Sequence, residues 1–88
     1  MTVEYLKQFI KDISRINDES LKNDVFDAIM NFKNTENLNS ITNIKKMKGH
    51  SDAYRLRIGK YRLGFFYING IIELSRFAKR DDIYKLFP

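Results

Sequence analysis

The chain has 88 residues, 43% of them hydrophobic, 14% aromatic and 31% charged; that supplies apolar material for one small core, too little chain for two, and no reason to expect disorder. With no cysteine, a disulfide framework, a thiolate metal site and a cysteine nucleophile are excluded, and the cytoplasm is the expected compartment. No apolar run approaches the roughly 20 residues of a membrane span, and Met1 to Ile10 lacks the basic-then-apolar layout of a signal peptide, so the expectation is one domain over residues 1–88 with no membrane partner.

Thr2-Val3-Glu4-Tyr5 alternates and is β-prone, which predicts a short strand at the edge or centre of a sheet. Leu6, Phe9, Ile10, Ile13 and Ile16 then recur at spacings of three and four, the stripe of an amphipathic helix. Asn17 and Asp18 interrupt it and offer side-chain oxygens to the start of a second helix, whose stripe is Leu21, Val25, Ala28, Ile29 and Phe32. So short a break predicts an antiparallel hairpin of helices, with apolar stripes that need a sheet to cover. Asn34 to Ser40 reads as a loop, and Ile41 and Ile44 as anchors before the basic Lys45-Lys46-Met47-Lys48-Gly49.

Ala53 to Ile58 alternates, with Tyr54, Leu56 and Ile58 on one face and Arg55 and Arg57 on the other. Gly59-Lys60 turns the chain into Tyr61 to Ile68, Asn69-Gly70 is a strong hairpin signal, and Ile71 to Phe77 is the next strand of an antiparallel meander. Lys79 to Leu86 is long enough for one or two helical turns, with Asp81 and Asp82 suited to a helix start. The fold predicted is α+β: βααβββ, a helical hairpin packed on a small antiparallel sheet, with a short C-terminal helix.

The net charge of +5 is unevenly placed: five basic residues precede Lys45 against seven acidic ones, whereas eleven basic residues lie from Lys45 onward against four acidic ones. An anionic partner is therefore expected on the second half. Arg55, Arg57 and Arg62 converge on one part of the sheet. Such a cluster is either a solvated face or a phosphate site, because guanidinium forks match phosphate oxygens two at a time and do not lose their charge. Lys45, Lys46, Lys48 and, in the following turn, Lys60 are candidates for holding an RNA backbone. His50 reads as an exposed turn residue and stays outside the site. Tyr61, Phe65, Phe66 and Tyr67 are assigned to packing, and one histidine without cysteines gives no metal-ligand spacing.

Three segments carry a resemblance: Lys46-Met47-Lys48-Gly49, then Tyr54-Arg55-Leu56-Arg57-Ile58-Gly59-Lys60-Tyr61-Arg62-Leu63, then Lys79-Arg80-Asp81-Asp82-Ile83-Tyr84. In order and spacing they are similar to the signature of the RelE/ParE superfamily of toxins from type II toxin-antitoxin systems, and the likeness extends over the helical hairpin. It implies a toxin neutralised by a cognate antitoxin. In the RelE-like branch, which is favoured, it implies a ribosome-dependent endoribonuclease that cuts mRNA without a metal or other cofactor; ParE-like members inhibit DNA gyrase instead. A basic binding module that does neither is the third reading.

By matching position, the resemblance implies that Arg55 and Arg57 line the cleft, Arg62 holds the scissile phosphate, Arg80 stabilises the transition state, and Tyr84 stacks on a base or assists proton transfer. The sequence departs from the family pattern in two ways. Arginines stand where RelE commonly has lysines, and Lys79 stands where the closing motif usually has histidine. Arginine is a poor proton acceptor, so Lys79 with a lowered pKa, or a route assisted by substrate or ribosome, would have to serve as the base.

Overall fold

Alternation and turn chemistry shape the middle of the chain. The computed structural model describes residues 1–88 and runs β1 (Thr2–Tyr5), α1 (Lys7–Ser14), α2 (Glu19–Asn34), a 3-10 turn at Leu38–Ser40, β2 (Ile44–Lys46), β3 (Ala53–Ile58), β4 (Tyr61–Ile68), β5 (Ile71–Lys79) and α3 (Arg80–Leu86). All five strands form one sheet in the order β1-β5-β4-β3-β2. Asn69 and Gly70 both have positive φ, 52° and 78°, the backbone that a two-residue hairpin needs to match strand twist.

The α+β architecture stands as expected, with two additions. β2 is a further strand, paired antiparallel with β3 through Ile44↔Leu56 and Lys46↔Tyr54. Three residues cannot display alternation, and two of these are exposed lysines, so the sequence carries no period to read there. β1, in turn, pairs with β5 in parallel, which makes the sheet mixed. The helices and the meander supply the long connection that a parallel pair requires.

The helical hairpin forms where its caps and stripes place it. Asp18 Oδ1 accepts from the amides of Ser20 and Leu21 at 2.9 and 3.3 Å, satisfying free donors at the start of α2. Phe9, Val25 and Phe32 are buried from the helices against Leu56, Leu63, Phe65, Ile72, Leu74 and Phe77 from the sheet. Phe32 and Phe65 meet edge-on, their centroids 5.0 Å apart. Ile10, part of the predicted stripe, is instead 55% exposed.

Beyond the end of β1 the rim of β5 is closed by α1. Asp12 there accepts from the backbone amide of Phe77 at 2.9 Å and from Arg76 Nε and Nη2 at 2.8 and 3.3 Å. Burial pushes its carboxyl up, but hydrogen bonds from Arg76, Phe77 and Gln8 outweigh burial and hold it below the ordinary aspartate value. No buried side-chain nitrogen or oxygen is left without a partner.

A smaller core lies where α3 packs: Met47, Ala53, Ile83 and Phe87 are buried, with Phe66 and Ala78 against them. Gly64 makes room for it. A Cβ at that position would lie 2.5 Å from Cδ2 of Phe87, so the bare backbone of β4 is the surface on which the ring rests.

Candidate active site

Strand register brings the arginines together. Arg57 is directly opposite Arg62 across β3 and β4, and Arg55, two residues along the same face, is opposite Gly64. From α3, Arg80 enters beside them, its amide donating to Lys60 O at 2.9 Å. Tyr84 follows one helical turn later, on the same side of α3. These five residues with Asn43, Ile44 and Lys45 line a cleft of about 320 Å³.

Each side chain has an identifiable constraint. Arg62 Nη1 donates to the carbonyls of Gly59 and Tyr61 at 3.0 and 2.9 Å, which ties the guanidinium to the β3–β4 turn. Arg57 Nη2 donates to Asn43 Oδ1 at 3.0 Å. The Arg55 guanidinium lies over the Tyr84 ring, 5.3 Å from its centroid, a cation–π contact. Arg80 has only an exposed carboxylate near it, Asp81 at 3.6 Å, a pairing that solvent weakens.

Five cations and no carboxylate line the cleft. Burial first, and then the like charges of Arg57, Arg80 and Arg55, hold the Arg62 guanidinium below its ordinary value, with Tyr84 opposing. Arg62 remains protonated at neutral pH, because an arginine starts so far above it. Beyond burial, the part of the shift due to Arg57, Arg80 and Arg55 expresses repulsion within the cluster, which an anion placed among the guanidiniums relieves. The arrangement suits an anionic group, and a phosphodiester presents its two non-bridging oxygens to a guanidinium fork.

Arg55, Arg57, Arg62, Arg80 and Tyr84 thus converge, together with Lys45. Lys46 and Lys48 line a neighbouring hollow rather than the cleft. Lys60 is exposed in the β3–β4 turn and does not line the cleft either. Lys79 also lies outside it, and the pleat is the reason. Ala78 pairs with Arg62 whereas Lys79 pairs with Tyr61, and successive strand residues face opposite sides, so Lys79 leaves β5 on the face away from Arg62. The idea that Lys79 serves the cleft as a base is corrected on that geometry.

Asn43 is a lining residue that sequence reasoning missed. Its φ is +66°, and asparagine is among the few residues that adopt this region readily. That preference signals a bend in the chain, but nothing local signals that its amide would hold Arg57, fourteen residues away. No group of three or more His, Cys, Asp or Glu residues is placed to hold a metal ion, and no helix is long and apolar enough to cross a membrane.

No protein-family model matches the chain. Over 89 residues, covering all of both sequences, it is 34% identical to Toxin RelE3 of Methanocaldococcus jannaschii. Among solved structures it resembles a chain of the RelB-RelE antitoxin-toxin complex from Methanococcus jannaschii, with TM-score 0.81, 30% identity, and coverage of 97% of this chain and 99% of that one. A chain of the archaeal RelE-RelB complex from Pyrococcus horikoshii shares the fold at 18% identity and TM-score 0.70, with 90% and 93% covered.

Proposed function

The chain belongs to the RelE family of toxins, and from that premise we propose that it is the toxin of a type II toxin-antitoxin pair, an endoribonuclease that cuts mRNA on the ribosome. The observation that carries this reading is the convergence of four arginines and Tyr84 on one cleft without a carboxylate. In the reaction, the 2′-oxygen of one nucleotide attacks the adjacent phosphorus, its proton leaves, and the bond to the 5′-oxygen breaks. The departing 5′-oxygen takes up a proton from water or from the ribosome, so the products are a 2′,3′-cyclic phosphate and a 5′-hydroxyl.

Arg62, fixed by two carbonyls, holds the non-bridging oxygens of the scissile phosphate. Arg57, across the strand pair, and Arg80, at the mouth, add charge where the phosphorane gains it, and preorganised cations of this kind act without reorganisation cost during the step. Tyr84, 59% exposed and backed by Arg55, offers its ring to a base. With Lys79 on the other face, the 2′-hydroxyl proton passes to an acceptor of the substrate or of the ribosome, and no metal takes part.

A cognate antitoxin completes the proposal. Its neutralising segment, an amphipathic helix or added strand with acidic residues, covers the surface of Arg55, Arg57 and Arg62 or displaces α3. Primer extension on cellular mRNA after induction without antitoxin tests the activity. Discrete cuts within translated frames and arrested translation are expected, whereas DNA damage with intact mRNA would assign the toxin to gyrase instead.

A further inference from the structure

The basic surface does not stop at Tyr84. Across the Arg55–Tyr84 pair a second hollow of about 420 Å³ opens, sharing those two side chains with the cleft and lined further by Lys46, Lys48, His50 and Pro88. Like the cleft, it has no carboxylate in its lining. A turn with a buried anchor forms one wall. Met47 is 6% exposed, its amide donates to Ala53 O at 2.8 Å, and the His50 amide donates back to Met47 O at 3.2 Å. Arg55 Nη1 also lies 3.4 Å from Met47 Sδ. Gly49 between them has φ +81°, so the turn is tight and carries Lys48 and His50 outward from a fixed base.

An RNA chain with one phosphate among Arg57, Arg62 and Arg80 must carry a neighbouring nucleotide past the Tyr84 ring, and this hollow lies there. The Lys48 ammonium suits its phosphate, and the His50 imidazole offers a flat face on which a base can stack. We propose that the hollow is a subsite for the mRNA nucleotide next to the scissile one, with Lys48 on its phosphate and His50 against its base, which adds a positioning contact outside the arginine cluster; Lys46, paired with Tyr54, leaves its strand on the opposite face and takes no part. The proposal rests on the mRNA-cleavage reading above.

Single-turnover cleavage on ribosomes programmed with a defined mRNA tests it, comparing the parent with the Lys48→Ala/His50→Ala double variant and titrating the toxin. Both side chains are exposed in a turn, so the fold is expected to survive, as circular dichroism would verify; each single variant serves if the double one does not fold. The concentration for half-maximal rate should rise about tenfold, the scale of one lost base-stacking contact, while the saturated rate falls far less than in Arg62→Ala. Two further mRNAs then each lack the base on one side of the cut. With one of them the parent should weaken by about the same factor and the double variant should weaken no further, because the contact is already gone.

Full additivity with both abasic mRNAs would place Lys48 and His50 against something else, ribosomal RNA included, and would overturn the subsite. A double variant that titrates like the parent would do the same. In either case the parent still cuts, which leaves the activity reading standing; a parent that leaves programmed mRNA intact would bring down both.

Discussion

On the face of the sheet covered by α1 and α2, eleven buried side chains form one core, and Phe32, Leu63, Phe65, Ile72 and Leu74 are fully inaccessible. On the face that carries α3, four residues are buried, and beside them stand Arg55, Arg57, Arg62 and Arg80 with no carboxylate in the cleft. The first face can stabilise the fold by burial, which contributes roughly 25 cal/mol per Å² of apolar surface. The second keeps a cluster of like charges that costs stability and is useful only when an anion arrives. Concentrating the core on one side of a thin sheet lets the other side be shaped for a ligand.

The contrast can be broken most severely on the helical face. Phe32→Ala removes a fully buried ring packed on Phe65 and should lower stability by about 3–5 kcal/mol, read from urea unfolding. Asp12→Ala strands Arg76 and the Phe77 amide at the rim of β5 and should cost on the order of 2–4 kcal/mol. The same carboxylate gives a pH signature. Its folded pKa is depressed, so its contribution is present above the unfolded value of about 3.9 and is lost as pH falls through the lower folded value. Asp12→Asn should flatten that part of the acid unfolding curve, and an unchanged curve would remove Asp12 from the account.

On the α3 face a smaller change is expected to alter function more than stability. Gly64→Ala sets a methyl against Phe87 and should cost about 1–2 kcal/mol, the scale of mild overpacking. It should also loosen α3, seen as faster amide exchange at Ile83 and Phe87, and lower toxicity by moving Arg80 and Tyr84. Smallest of all is Lys22→Ala on the exposed, acidic half, where the pairing with Glu19 at 3.8 Å should be worth less than about 0.5 kcal/mol. Its toxicity should equal that of the parent.

Much of this was legible in the sequence because the features involved are local. The period of three and four in α1 and α2, the Asp18 cap, the alternation from Ala53 to Ile58 and the Asn69-Gly70 turn each act within a few residues. Alternation also placed Arg55 and Arg57 on one face, and the tight turn after Ile58 set Arg62 beside them. Other features depend on pairing across the chain. β2 exists because the edge of β3 accepts it, Asn43 matters because of where Arg57 ends, and the role of Gly64 appears only with Phe87 on top of it. Lys79 was misplaced for a related reason: resemblance of a motif names a position, while strand register decides which face that position occupies.

If Arg62 grips the phosphate that is cut, single-turnover cleavage of ribosome-bound mRNA registers its loss directly. Arg62 is only partly buried and sits within a repulsive cluster, so Arg62→Ala should fold and unfold in urea much as the parent does. Its cleavage rate should fall on the order of a hundredfold or more, as when one preorganised transition-state donor is lost. Arg62→Lys should recover only part of the rate, since a point charge lacks the fork that spans two oxygens. A well-folded Arg62→Ala protein that cuts ribosome-bound mRNA as fast as the parent would contradict the account.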